Sequence, residues 1–73
     1  MSRSELTNKI RRLRFDNGEM TQQQLAEKAE VTRQTIIAIE SGKYTPSLTL
    51  AFRISRAFGL TVEEVFQYQK PVS

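Results

Sequence analysis

The 73 residues amount to about half of one ordinary domain, which excludes a cofactor fold, a regulatory domain and a separate substrate site in one chain. With no Cys and no His, disulfides, thiolate zinc sites and thiol nucleophiles are excluded, and the commonest general base and metal ligand is missing. The net charge of +3 is gathered at the start: residues 1–15 carry Arg3, Lys9, Arg11, Arg12 and Arg14 against Glu5, whereas the remainder sets six basic against seven acidic residues.

The three Gly and two Pro sit between periodic segments and nothing repeats, so the chain reads as a run of short helices. In the first, Leu6, Ile10, Leu13 and Asn17 fall on one face, with Ser4 as candidate cap and Gly18 placed for the left-handed turn that ends a helix. Arg11 and Phe15 point the other way. Phe15 is either a bare aromatic or covered by a partner or the C-terminal tail, and cover is favoured because a large exposed ring is costly. Thr21 and Gln24 make a capping-box pattern, Met20 is set to staple onto Leu25, and a second helix runs from there to about residue 28. Its apolar positions, Leu25, Ala26 and Ala29, are compact enough for close helix approach. Glu30 and Val31 form a brief break before a new cap, Thr32.

The third helix, about residues 33–41, divides into two unlike arcs at about 100° per residue. Arg33, Gln34, Ile37, Ala38 and Ser41 share one side, and Thr35, Ile36 and Ile39 the other. One face is built to bury and the other to touch something. Gly42 ends this helix, and Thr45-Pro46 makes an extended turn into Ser47, the cap of a fourth. Leu48, Leu50, Ala51, Ile54, Ala57 and Phe58 supply its core stripe. Gly59 stops it, and Thr61 with Glu64 opens a one-to-two-turn fifth helix carrying Val62, Val65 and Phe66. Alternation of Phe66, Tyr68 and Lys70 with Gln67 and Gln69 then gives a weak strand signal that Pro71 terminates.

From Leu6 to Phe66 these residues resemble the Xre type of helix-turn-helix transcriptional regulators. Thr21, Gln22, Leu25 and Ala26 are similar to the opening of that family's second helix. Val31 to Ile36, with Ile39 and Glu40, resemble its recognition helix, and Gly42-Lys43 followed by Pro46-Ser47-Leu48 resembles the loop into helix four. The resemblance implies an all-α, compact five-helix, lambda-repressor-like DNA-binding domain over residues 1–66, with residues 67–73 as an extension for a short strand or a dimer contact. It implies sequence-specific binding of double-stranded DNA, usually by a homodimer, and control of transcription. Two departures stand out: Glu30 occupies a turn position where the family usually has Gly, and the link from Gly18 to Thr21 is one residue longer than its commonest form.

In the family's geometry the outer arc of helix three enters the major groove, whose donor and acceptor pattern distinguishes all four base pairs. Arg33 can then pair with guanine O6 and N7, Gln34 with adenine N6 and N7, and Ile37 and Ala38 can meet thymine methyls. Outside this context an Arg-Gln pair on an exposed helix is ordinarily just solvated. Phosphates are expected at Thr21 and Gln22, at Thr32 or Thr35, and at Lys43 with nearby backbone amides. Thr21 and Thr32 are helix caps in any case. The resemblance also implies an ion pair between Arg14 and Glu40, tying helix one to the end of helix three.

A chain of this size buries only about 60% of the surface its unfolded form exposes, and without covalent or metal staples it is expected to associate. The expected dimer surface is Leu60, Val62, Phe66 and Tyr68 beside Phe58, with the strand pairing across the two-fold axis or with the N-terminus. No apolar run approaches the roughly 20 residues of a membrane span, and no secretory leader pattern follows the Arg-rich start, so a soluble cytoplasmic protein is expected. No cofactor, metal or small-molecule ligand is inferred. One rival is an antitoxin or antirepressor that uses this fold to hold another protein through Phe15, Tyr44 and the C-terminal aromatics. A small hydrolase is the other, but with Asp16 as the sole Asp and no His or Cys, no base, nucleophile and orienting group can be assembled.

Overall fold

The computed structural model describes residues 5–69, in the order β1 (Leu6–Asn8), α1 (Ile10–Asp16), α2 (Gln22–Ala29), α3 (Arg33–Glu40), α4 (Leu48–Ala57), α5 (Val62–Val65) and β2 (Phe66–Tyr68). The start of the chain departs from the helical reading. Leu6 lies in a strand that pairs antiparallel with β2, Leu6 facing Tyr68 and Asn8 facing Phe66. The cause lies at Asn8, whose Oδ1 accepts the Ile10 amide at 3.1 Å while its Nδ2 donates to the Ile39 carbonyl at 3.0 Å. One side chain thus opens α1 at Ile10 and anchors that opening to the end of α3. Ser4, the expected cap, lies outside the described residues, as does Lys70. Of the two pairings open to the C-terminal strand, β2 takes the one with the N-terminal segment. Phe66 accordingly leaves α5 and begins the strand, with φ −116° and ψ 136°.

The remaining helix starts follow from hydroxyl caps. Thr21 and Thr61 complete capping boxes with Gln24 and Glu64, and Thr32 and Ser47 accept the amides of Thr35 and Leu50. Three of the ends share another device. After α3 and α4, the amides of Lys43 and Leu60 reach back to Ala38 and Ser55, and Gly42 and Gly59 take positive φ. After α2, Val31 reaches back to Ala26 in the same pattern, but the left-handed residue is Glu30, at φ 63°. A side chain there costs about 1 kcal/mol. The longer link after α1 is absorbed in a similar way, by two successive left-handed residues, Gly18 and Glu19.

The core is assembled where α2 packs on α3 and α4. Ile10, Leu25, Ala26, Ala29, Ile36, Ile54 and Val65 have no exposed surface, and Ile39, Phe58 and Phe66 have little. Each large aliphatic among them contributes about 1.5–3 kcal/mol by leaving water. The one buried polar residue among those described, Ser55, donates its hydroxyl to the Ala51 carbonyl at 2.8 Å, so no buried side-chain polar atom among the described residues is left unsatisfied. Leu48, expected in the core stripe, is 70% exposed: it opens α4 at the edge of the buried arc, next to exposed Phe52 one turn on. Phe15 is 66% exposed, and no described residue covers it. Among the described residues no helix is long and apolar enough to cross a membrane.

Candidate nucleic-acid interface

The two arcs of α3 separate as their chemistry requires. Ile36 and Ile39 are buried against the body at 0% and 2% exposure, whereas Arg33, Gln34 and Ile37 face solvent and Ala38 is half-buried between them. A cation with a planar fork, a carboxamide and an aliphatic group are therefore held in one row by a helix whose other side cannot turn outward without exposing two isoleucines.

Next to this row lie the residues suited to phosphates. The amides of Gln22 and Gln23, in the first turn of α2, have no acceptor among the described residues, and the helix dipole favours an anion there. The Gln22 side chain turns inward instead, its Nε2 donating to Glu40 at 3.3 Å, so its outward contribution is the main chain. The Thr21 amide is taken by Gln24, but its hydroxyl is exposed. Thr32 and Thr35 join their hydroxyls at 2.9 Å, Thr32 exposed and Thr35 half-buried. At the other end of α3 the amides of Lys43 and Tyr44 both donate to the Ala38 carbonyl. The loop amides expected to hold a phosphate are thus occupied, which leaves the exposed Lys43 ammonium.

Arg14 and Glu40 meet in a two-pronged pair, Nε to Oε2 at 2.5 Å and Nη2 to Oε1 at 3.1 Å, with side chains only 16% and 10% exposed. The remaining Nη1 donates to the Met20 carbonyl at 2.9 Å. One guanidinium therefore ties α1, the link before α2 and the last turn of α3 together, holding the outer row of α3 against the body.

The residues expected at a dimer surface are divided. Leu60 and Val62 are half-buried and line a depression with Phe52 and Arg56, and Tyr68 is exposed, its hydroxyl donating to Glu5 at 2.7 Å. Phe66 departs from that expectation: it is 6% exposed, because β1 and the body already cover it, so it offers little to a second copy. Sequence reasoning passed over Asn8 and the exposed Phe52. Thr7, Asn8 and Lys9 are three polar residues in a row, with no alternation to mark a strand, and an aromatic within a helical stripe gives no sign of its side. Among the described residues no cluster of acidic side chains is placed to hold a metal.

Comparison with known proteins agrees with this geometry. The helix-turn-helix family model matches residues 10–65. An uncharacterized HTH-type transcriptional regulator of Methanocaldococcus jannaschii is 58% identical over 50 residues, covering 68% of this chain and 76% of the relative. The uncharacterized HTH-type transcriptional regulator YgzD of Bacillus subtilis is 48% identical over 61 residues, 84% of this chain and 91% of its own. A control protein, C.MunI from Mycoplasma sp, is 32% identical over 59 residues, 81% of this chain and 80% of its own. The crystal structure of the clp gene regulator ClgR from Corynebacterium glutamicum superposes with a TM-score of 0.70 at 29% identity, covering 75% of this chain and 57% of that one. The chain belongs to the Xre-type helix-turn-helix family of DNA-binding transcriptional regulators.

Proposed function

We propose that this protein binds a pseudo-palindromic DNA operator in the cytosol as a homodimer, with α3 in the major groove, and represses the adjacent promoter by occupying it. The observation that carries the reading is the row of Arg33, Gln34 and Ile37, exposed on the outer side of a helix whose inner isoleucines, Ile36 and Ile39, are buried. In this reading Arg33 recognises guanine, Gln34 adenine, and Ile37 and Ala38 thymine methyls, while Thr21, the Gln22 amide, Thr32, Thr35 and Lys43 hold phosphates. The apolar surface of Leu48, Phe52, Leu60 and Val62 supports a two-fold contact, which places equivalent helices about 34 Å apart for successive turns of one DNA face.

Selection of bound sequences from a random duplex library tests the proposal. A recovered inverted repeat is expected, Arg33→Ala should lose about 1–3 kcal/mol and relax one position, and Lys43→Ala should weaken all duplexes alike. Equal loss from both variants on selected and random DNA removes the reading-face assignment, and a monomer in sedimentation at micromolar concentration removes the dimer. Exposed Phe15 and Tyr44 favour a second reading, an antitoxin-type or antirepressor-type module whose main partner is a protein. Salt dependence separates the two. A DNA reader with about 6 to 8 phosphate contacts gives a slope near −5 to −7 in log affinity against log salt.

A further inference from the structure

Between α1, the start of α2 and the Arg33 edge of α3 runs an open cleft of about 750 Å³. Its back wall is the Arg14–Glu40 pair, in which the two charges cancel. Arg33 and Arg11, the latter from the first turn of α1, both line it, and neither guanidinium is paired among the described residues. Arg12, the neighbour of Arg11 on α1, is different: it sits 3.2 Å from Asp16 and does not line this cleft. The floor is the first turn of α2, with its two amides lacking acceptors.

We propose that this cleft seats the sugar-phosphate strand flanking the bases that α3 reads, and that Arg11 is its outer clamp, a positioning contact delivered from outside the helix-turn-helix pair. The inference rests on α3 lying in the major groove. A backbone that passes Arg33 and the start of α2 must run along this cleft, where the planar fork of a guanidinium matches two phosphate oxygens. Glu19 lines the same cleft and opposes that strand. Arg11 and Glu19 therefore set affinity for every duplex in opposite directions and carry no sequence information.

The experiment measures anisotropy of labelled duplexes, one of selected and one of random sequence, against the full-length protein over a series of salt concentrations. Arg11→Gln should weaken both duplexes by about 5–10-fold and make the salt slope shallower by about 1 for each Arg11 contact. Arg11→Lys should keep the slope, Glu19→Gln should strengthen both duplexes, and Arg12→Gln should change either by less than about twofold. Wild-type binding by Arg11→Gln overturns the clamp, as does an equal loss from Arg12→Gln, which would mean that only net charge matters. A loss confined to the selected duplex overturns it too. Failure of the groove reading has a different signature, with Arg33→Ala acting alike on both duplexes while the Arg11 effect persists.

Discussion

Replacing Arg14 with Met keeps most of the buried stem and removes the guanidinium that joins three segments. Two hydrogen bonds to Glu40 and one to the Met20 carbonyl disappear, and among the described residues the Glu40 carboxylate keeps a single partner, the Gln22 side-chain Nε2 at 3.3 Å. Stranding one member of a fully buried pair costs about 3–5 kcal/mol. The residual exposure of 16% and 10% admits some water, which lowers the expected loss to about 2–4 kcal/mol. For a chain of this length total stability is about 4–11 kcal/mol, so over most of that range the variant should still fold, with a midpoint about 8–30 °C lower. The measurement is urea unfolding followed by far-UV circular dichroism, with free energies from linear extrapolation. The double variant Arg14→Met with Glu40→Leu strands no charge and should be more stable than the two single losses added together predict, by about 2 kcal/mol. Once folded it should bind the selected duplex more weakly than wild type, because α3 has lost its tether. A single-variant loss below about 0.5 kcal/mol, or strict additivity in the double variant, would refute the account of the pair as a buried tether.

Three further outcomes follow from local geometry. Glu30→Gly should raise stability by about 0.5–1 kcal/mol in urea titration, since Glu30 stands at φ 63° in the turn type that Gly42 and Gly59 fill elsewhere; a destabilised variant would show that the left-handed strain is absent or already compensated. Ser47→Ala should cost about 1 kcal/mol by removing the acceptor of the Leu50 amide, and an unchanged midpoint would deny the cap any weight. The Glu5 carboxylate, through its hydrogen bond and then its charge, holds the Tyr68 phenol above its ordinary pKa of 10.0. A raised folded pKa means that this contribution to stability is complete below pH 10 and is lost as pH rises through the folded value. Absorbance titration near 295 nm should therefore contain a late phenolic component that Tyr68→Phe removes, and its persistence in that variant would assign it elsewhere.

The legible parts of the sequence were those whose cause is local. A hydroxyl at Thr21, Thr32, Ser47 or Thr61 meets an amide three residues on, so each helix start could be placed from its own neighbourhood. The two arcs of α3 were equally readable, because spacing alone decides which of its residues share a side. The strand at Leu6 was hidden for the opposite reason: Leu6 and Ile10 fit helical spacing, and the competing partner, Tyr68, lies at the far end of the chain. Leu48 fitted the apolar stripe of α4 while sitting on its edge. Arg11 looks like any solvated cation until α1 is laid beside the start of α2, and only then does it line a common cleft with Arg33. Phe66 could serve either a second copy or the monomer, and the choice depended on a strand that periodicity had concealed.

The short ladder at the two ends of the fold joins segments sixty residues apart, with the Thr7 hydroxyl reaching the Gln67 carbonyl at 3.4 Å. Closing so long a loop costs entropy that two three-residue strands cannot offset alone, so the ladder is a latch that depends on the assembled helices to hold its two sides together. Its hinge is Asn8 and Lys9, which also hold the Ile39 and Val65 carbonyls. Fraying at the ends of the molecule would therefore loosen the root of α1 and, through Arg14, the seating of α3, the helix that the proposed function sets against DNA, without any unfolding of the core.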